Sequence, residues 1–280
     1  MNFLALLIAL TLRQLWGAES WLHRDGWWRE WRQRVLGLGL LPWVQLVLSI
    51  GLPLLLALLL LDLLRPLLFG LLWIVAAALL LLYAFGRGDF HARIARYRDY
   101  CERDNREGAW LYLREELHAG DPREVDPGLE PEELHQQLQA SLYYDGFQRW
   151  FAVVFWFVLL GPVAALAYRL LQLCRDAGGE QGPAVSLLFL LDWIPVRLLA
   201  ATFAVAGDFV RSRDELLAAL FDPWADSSAL LLAVGNAAAG AAADHPVSQG
   251  APADVTALAD LLTRSTVVWV VVIAVFEILA

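Results

Sequence analysis

Apolar residues in this chain fall into long runs separated by charged segments. Leu36–Leu61 and Leu67–Phe85 carry no charged residue, and neither do Phe151–Tyr168 and Thr266–Phe276. A fifth apolar run, Ala184–Ala206, contains Asp192, Pro195 and Arg197. A bilayer core of about 30 Å takes about 20 helical residues to cross. The pattern therefore predicts an all-α, multipass helical membrane protein with about five membrane segments. Four are firm: 36–61, 67–85, 151–168 and the last run extended to Ala280. The fifth, 184–206, is expected to be broken at Pro195, because proline removes a backbone donor and clashes with the preceding turn.

The polar segments read as helices too. Trp27, Trp28, Trp31 and Val35 recur at helical spacing, edged by Arg24, Arg29 and Arg32. This predicts an amphipathic N-terminal arm over 1–35, lying at the headgroup boundary. In the segment 86–149, Asp89 can cap a helix running through Ile94 and Tyr97 to Leu117, which Gly120-Asp121-Pro122 stops. Pro131 suits the first position of a second helix, with Glu132 and Glu133 at its positive end. The result is a helical hairpin. Ala243–Pro252 reads as a loop. The whole of 1–280 is expected to form a single membrane domain that includes this arm and this hairpin.

Arginine placement orients these pieces. Arg13, Arg24, Arg29, Arg32 and Arg34 precede the first long run, and nine more lie between Arg87 and Arg149. The positive-inside rule puts both regions in the cytoplasm and the solvated turn Asp62–Pro66 on the far side. The opening Met1–Leu12 is apolar without a preceding basic region, unlike a secretory signal.

Composition agrees: 59% of the 280 residues are hydrophobic, against the 45–50% or so typical of soluble domains. A net charge of −9 does not argue against membrane association, because orientation follows the placement of basic residues and not net charge, and no nucleic acid is expected as a partner. All 21 basic residues are arginine, so no phosphate-binding loop of the Gly-x-x-x-x-Gly-Lys type exists. Two cysteines, Cys101 and Cys174, make no disulfide framework.

Candidate chemistry is sparse. Glu115…His118 and Glu132…His135 each place two metal-ligand types on one helical face, as di-metal bundles do. Such bundles need further glutamates from other helices, so these pairs read as solvated helix ends. No Gly-x-Ser-x-Gly elbow and no His-Glu-x-x-His helix occur. No catalytic residue, metal or cofactor is expected. Asp192 and Arg197 stand out, because each charge costs roughly 2.5–3.5 kcal/mol at a membrane helix centre. Both are expected to be buried against polar partners.

The residues around that pair carry a resemblance. Leu191-Asp192-Trp193-Ile194-Pro195-Val196-Arg197-Leu198 is similar to a motif of the superfamily joining the AmpE family with CbiB-type cobalamin-biosynthesis amide synthases. Phe155-Trp156, with Gly161-Pro162 and Tyr168, resembles a stretch found in both branches, and Arg264–Ala274 resembles the C-terminal span of AmpE. The synthase branch carries an acidic segment just before its Phe-Trp. Here Tyr144, Gln148 and Arg149 occupy that spacing, with Asp145-Gly146 out of register. The small-residue stretch from Asn236 to Ala243 is similar to a synthase segment.

The resemblance thus implies a noncatalytic AmpE-like regulator of β-lactamase induction and β-lactam resistance, linked to cell-wall recycling. Its expected surroundings are the lipid bilayer and a membrane or cytosolic protein partner in cell-wall signalling. Asp192, Arg197 and Asn236 are the candidate ligand-binding residues, with Trp193, Pro195, Phe155 and Trp156 as the structural motif. The alternative is a CbiB-like membrane amide synthase.

Overall fold

The computed structural model describes residues 2–16, 25–85, 90–103, 105, 107, 108, 111, 131–177, 182–240 and 247–279. Among these residues every regular element is helical. The chain divides into two compact units: Met1–Asp89 with Ala152–Leu191, and Phe90–Phe151 with Asp192–Ala280.

The first unit holds α1 (Asn2–Trp16), α2 (Gly26–Leu36), α3 (Pro42–Leu64) and α4 (Leu71–Ala84). α4 is preceded by a 3-10 turn, Leu67–Gly70. α1 packs on α4 and buries Ala5, Leu6 and Ala9. α3 is apolar on every side and largely exposed, as a lipid-facing helix must be. Asp62 and Arg65 sit exposed at its end, consistent with the solvated turn. The arm does more than lie on a surface. Trp28 and Val35 are buried, and the Trp31 indole donates to the Ser49 carbonyl at 3.3 Å. The Tyr83 hydroxyl donates to Asp25 Oδ1 at 3.1 Å, and Arg169 Nη2 lies 3.9 Å from Oδ2.

The expected span 151–168 is not one helix. It consists of a π turn, Phe147–Phe151, then α7 (Ala152–Leu160) and α8 (Pro162–Asp176). Gly161 separates them at φ +91°, a left-handed backbone that glycine tolerates, and Pro162 starts a new helix where its missing N–H costs nothing. α7, at nine residues, reaches only about 14 Å. Cys174 of α8 is buried and free.

The expected break at Pro195 is also corrected. α9 runs unbroken from Pro183 to Ala206, 24 residues, with Pro195 inside it. A single proline removes one rung, and a membrane helix carries that loss when side chains and neighbours satisfy the freed backbone. Among the described residues, four helices are long and apolar enough to cross a membrane: Pro42–Leu64, Leu67–Ala84, Pro183–Ala206 and Ala253–Phe276. This is a multipass helical membrane protein.

The second unit holds α5 (Phe90–Glu102), α6 (Pro131–Gly146), the rest of α9, α10 (Phe209–Phe221), α11 (Ser227–Ala239) and α12 (Val247–Leu279). α5 ends at Glu102, short of the helix expected to run on to Leu117, and both α5 and α6 pack against α12. The cap at Asp89, the stop at Gly120–Pro122, and the Glu115 and His118 pair lie outside the described residues. α12 begins at Val247, so the loop expected over Ala243–Pro252 is helix from residue 247 onward. Pro252 sits near the helix start, where proline costs at most one rung. Its 33 residues exceed a bilayer's thickness, which leaves its N-terminal half to pack with α5, α6 and α11.

Candidate functional site

The motif residues of α9 lie in the second unit, and their polar partners come from three directions. Asp192 has no exposed surface. The Tyr144 hydroxyl of α6 donates to its Oδ2 at 2.7 Å. Gln148 Nε2 reaches the same oxygen at 3.4 Å and donates to the Tyr144 hydroxyl at 2.6 Å. Tyr144 and Gln148 are four residues apart, across the junction of α6 with the π turn, so both side chains project from one face.

Arg197 does not pair with Asp192. Its Nη1 donates to the Trp193 carbonyl at 3.0 Å and its Nη2 to the Asp222 carbonyl at 2.5 Å. The guanidinium carbon lies 4.1 Å from the Trp193 ring centroid, a stacked cation–π arrangement. Trp193 in turn donates its indole N–H to the Pro223 carbonyl at 3.1 Å. One turn of α9 therefore clamps the backbone of the Asp222-Pro223 turn. Arg197 Nε is buried without a hydrogen-bond partner.

Asn236 belongs to a second polar group. Its Nδ2 donates to Gln139 Oε1 of α6 at 2.9 Å. His135, Gln139 and Tyr143 stand at four-residue spacing along α6 and are all buried. The Tyr97 hydroxyl of α5 lies 2.9 Å from His135 Nδ1, and Asp254 Oδ2 of α12 lies 3.6 Å from His135 Nε2. Burial holds His135 below the usual histidine range, and the Asp254 carboxylate opposes that shift. Burial likewise raises the Tyr143 hydroxyl, helped by Asp254. His135 is thus no solvated helix end, as its position beside Glu132 and Glu133 suggested. An alternation of polar residues every fourth position from His135 was the signal for this stripe.

Phe155 and Trp156 lie on α7 in the first unit, their rings edge to face at 5.1 Å. Among the described residues no three His, Cys, Asp or Glu side chains gather as a metal-holding group.

The family model described as regulatory signalling modulator protein AmpE matches residues 1–280. The chain belongs to the AmpE family. The match covers the arm, both units and the last helix, so the α9 motif sits within a complete family match. No curated protein and no solved structure gives a match to the chain. As an AmpE-family member it is, by that description, a regulatory signalling modulator.

Proposed function

We propose that this AmpE-family chain is a noncatalytic inner-membrane modulator of β-lactamase induction, acting as one membrane domain over 1–280. Its signal arises in cell-wall recycling and passes to a membrane or cytosolic protein partner. The arginine-rich arm and the hairpin arms α5 and α6 face the cytoplasm in this reading.

One observation carries the noncatalytic part. The buried Asp192 accepts from Tyr144 and Gln148, the residues standing where the synthase branch has carboxylates. An ATP-driven amide synthase needs acidic groups to handle a metal–nucleotide. Here those positions stabilise one internal charge. Asp192, Arg197 and Asn236 then serve as the polar groups through which a signal changes the membrane helices.

The test is genetic. A host lacking its own family member, supplied with this chain, should regain its normal β-lactamase response to a β-lactam. The Arg197→Ala variant should not restore it. A strain lacking its cobinamide-forming amide synthase should gain no corrinoid-dependent growth from the chain; growth would establish the synthase reading instead.

A further inference from the structure

α10 and α11 do not leave the neighbourhood of α9. α10 starts at Phe209, three residues after α9 ends, and Asp208 caps it by accepting from the N–H groups of Val210 and Arg211. At the other end of α10, the Asp222 and Pro223 carbonyls accept from Arg197 and Trp193. Those two residues are at the middle of α9, not its end. α10 is 13 residues, about 20 Å, which is the rise along α9 from Trp193 to Ala206. α11, also 13 residues, then returns, and the Ala238 carbonyl accepts from the Asp208 N–H at 2.8 Å. The pair forms a hairpin folded back along the C-terminal half of α9.

α9 fixes the depth of that hairpin. Its apolar run begins at Pro183 after a polar stretch, and a hydrocarbon core of about 30 Å requires most of its 24 residues. Trp193 and Arg197 then lie near the bilayer centre, and so does the Asp222–Asp226 turn clamped to them.

Arg211, Arg213, Asp214 and Glu215 occupy the first half of α10, Leu216–Phe221 and all of α11 are uncharged, and the turn between them carries the exposed Asp222 and Asp226. α10 buries Ser212 and Ala219. At about 100° per residue, Phe209, Val210, Leu217, Leu220 and Phe221 form an arc on one side of α10, all five exposed, and Arg213 falls within it in the polar first half. Turn backbone at membrane depth must be satisfied by protein. Here Arg197 and Trp193 take two carbonyls, the Asp222 side chain takes the Trp224 N–H, and Asp226 takes those of Ser228 and Ala229.

We propose that α10–α11 is a re-entrant hairpin. It enters the bilayer from the face where α9 ends, turns near the midplane, and presents the Val210–Leu217–Phe221 arc to acyl chains. The lipid surface of this unit then comprises Ile194, Leu198 and Val205 of α9 together with that arc, all exposed. The inference rests on α9 crossing the membrane.

Nitroxide labels on single cysteines test it, in a background with Cys101 and Cys174 replaced, reconstituted in phosphatidylcholine–phosphatidylglycerol vesicles. Labels at Val210, Leu217 and Phe221 should show a rising ratio of oxygen to water-soluble nickel collisions, in that order. A label at Ile194 should match the deepest of them, and one at Arg211, beside the entry end, should report the surface. If Ile194 reports lipid but Leu217 and Phe221 report water, the hairpin is not re-entrant. Poor access of both agents to Leu217 would mean that a protein covers the arc, which also overturns the proposal. Water at Ile194 would remove the membrane reading of α9 itself, and the hairpin with it. All the labelled sites are exposed, so folding is retained.

Discussion

Tyr144 and Asp192 meet across a 2.7 Å hydrogen bond in which the phenol donates to a carboxylate with no exposed surface. Gln148 supports both ends of that contact. The pair explains how an aspartate persists in the middle of an apolar helix: its charge is compensated by donors brought from α6 and the π turn.

Replacing Tyr144 by Phe removes the shorter donor and leaves the rest of the ring in place. A hydrogen bond to a charged group is worth about 1.5–3 kcal/mol. Thermal melting in detergent should therefore fall, and the doubly changed Tyr144→Phe, Asp192→Asn protein should lose less than the sum of the single changes. Strict additivity would show that the two side chains are not coupled.

His135 makes stability depend on pH. Burial lowers its folded pKa, whereas the unfolded chain titrates at about 6.5. Above that pH both states are neutral and its contribution is complete. As the pH falls below it, the unfolded state takes up the proton first and stability declines. His135→Gln should flatten the melting profile between pH 7 and 5. An unchanged slope would assign the dependence to another group.

Gly235 of α11 faces Tyr143 so closely that a Cβ there would lie 2.6 Å from the ring. Gly235→Ala should force the rings of Tyr143 and Phe203, now 5.5 Å apart, to shift, at a cost of about 1–3 kcal/mol. Tyr143→Leu in the same chain should restore part of the lost melting temperature. No rescue would place the cost elsewhere.

Arg197→Ala strips Nη bonds from two carbonyls and the stack from Trp193. A buried unpaired acceptor costs about 1–3 kcal/mol. The variant should melt lower than Arg197→Lys, which keeps the charge but loses the planar fork. Equal melting of both would mean that the fork geometry contributes nothing.

Orientation is checked from outside the cell. In a cysteine-free background, Gly120→Cys should react with a membrane-impermeant maleimide only after lysis. Equal labelling of intact and lysed cells would reverse the arrangement drawn from the arginines.

How far the sequence reached depends on which physical signal each element carries. Long uncharged runs identify α3 and the Leu67–Ala84 helix without ambiguity, because burial in lipid demands apolarity along the whole length. The same signal misplaced the helix break. Pro195 looked like the breaker and Gly161 did not, although a glycine at left-handed φ takes the backbone out of helical geometry while an internal proline removes one rung. For the site, the cost of charge in hydrocarbon pointed to Asp192 and Arg197. Their partners were not legible, because Tyr144, Gln148 and the carbonyls of Asp222 and Pro223 are neutral groups joined to them only by tertiary packing. His135 was misread because its local neighbours are acidic and exposed, while its fate is decided by Tyr97 and Asp254, far away in sequence.

The missing rung at Pro195 has a mechanical side. A helix resists bending through its ladder of axial bonds, so α9 is most compliant where one of them is lacking. That soft point lies between Asp192, gripped from α6, and Arg197, gripping the Asp222 turn. Tension on either attachment is thereby converted into a change of helix angle before it becomes a displacement along the axis.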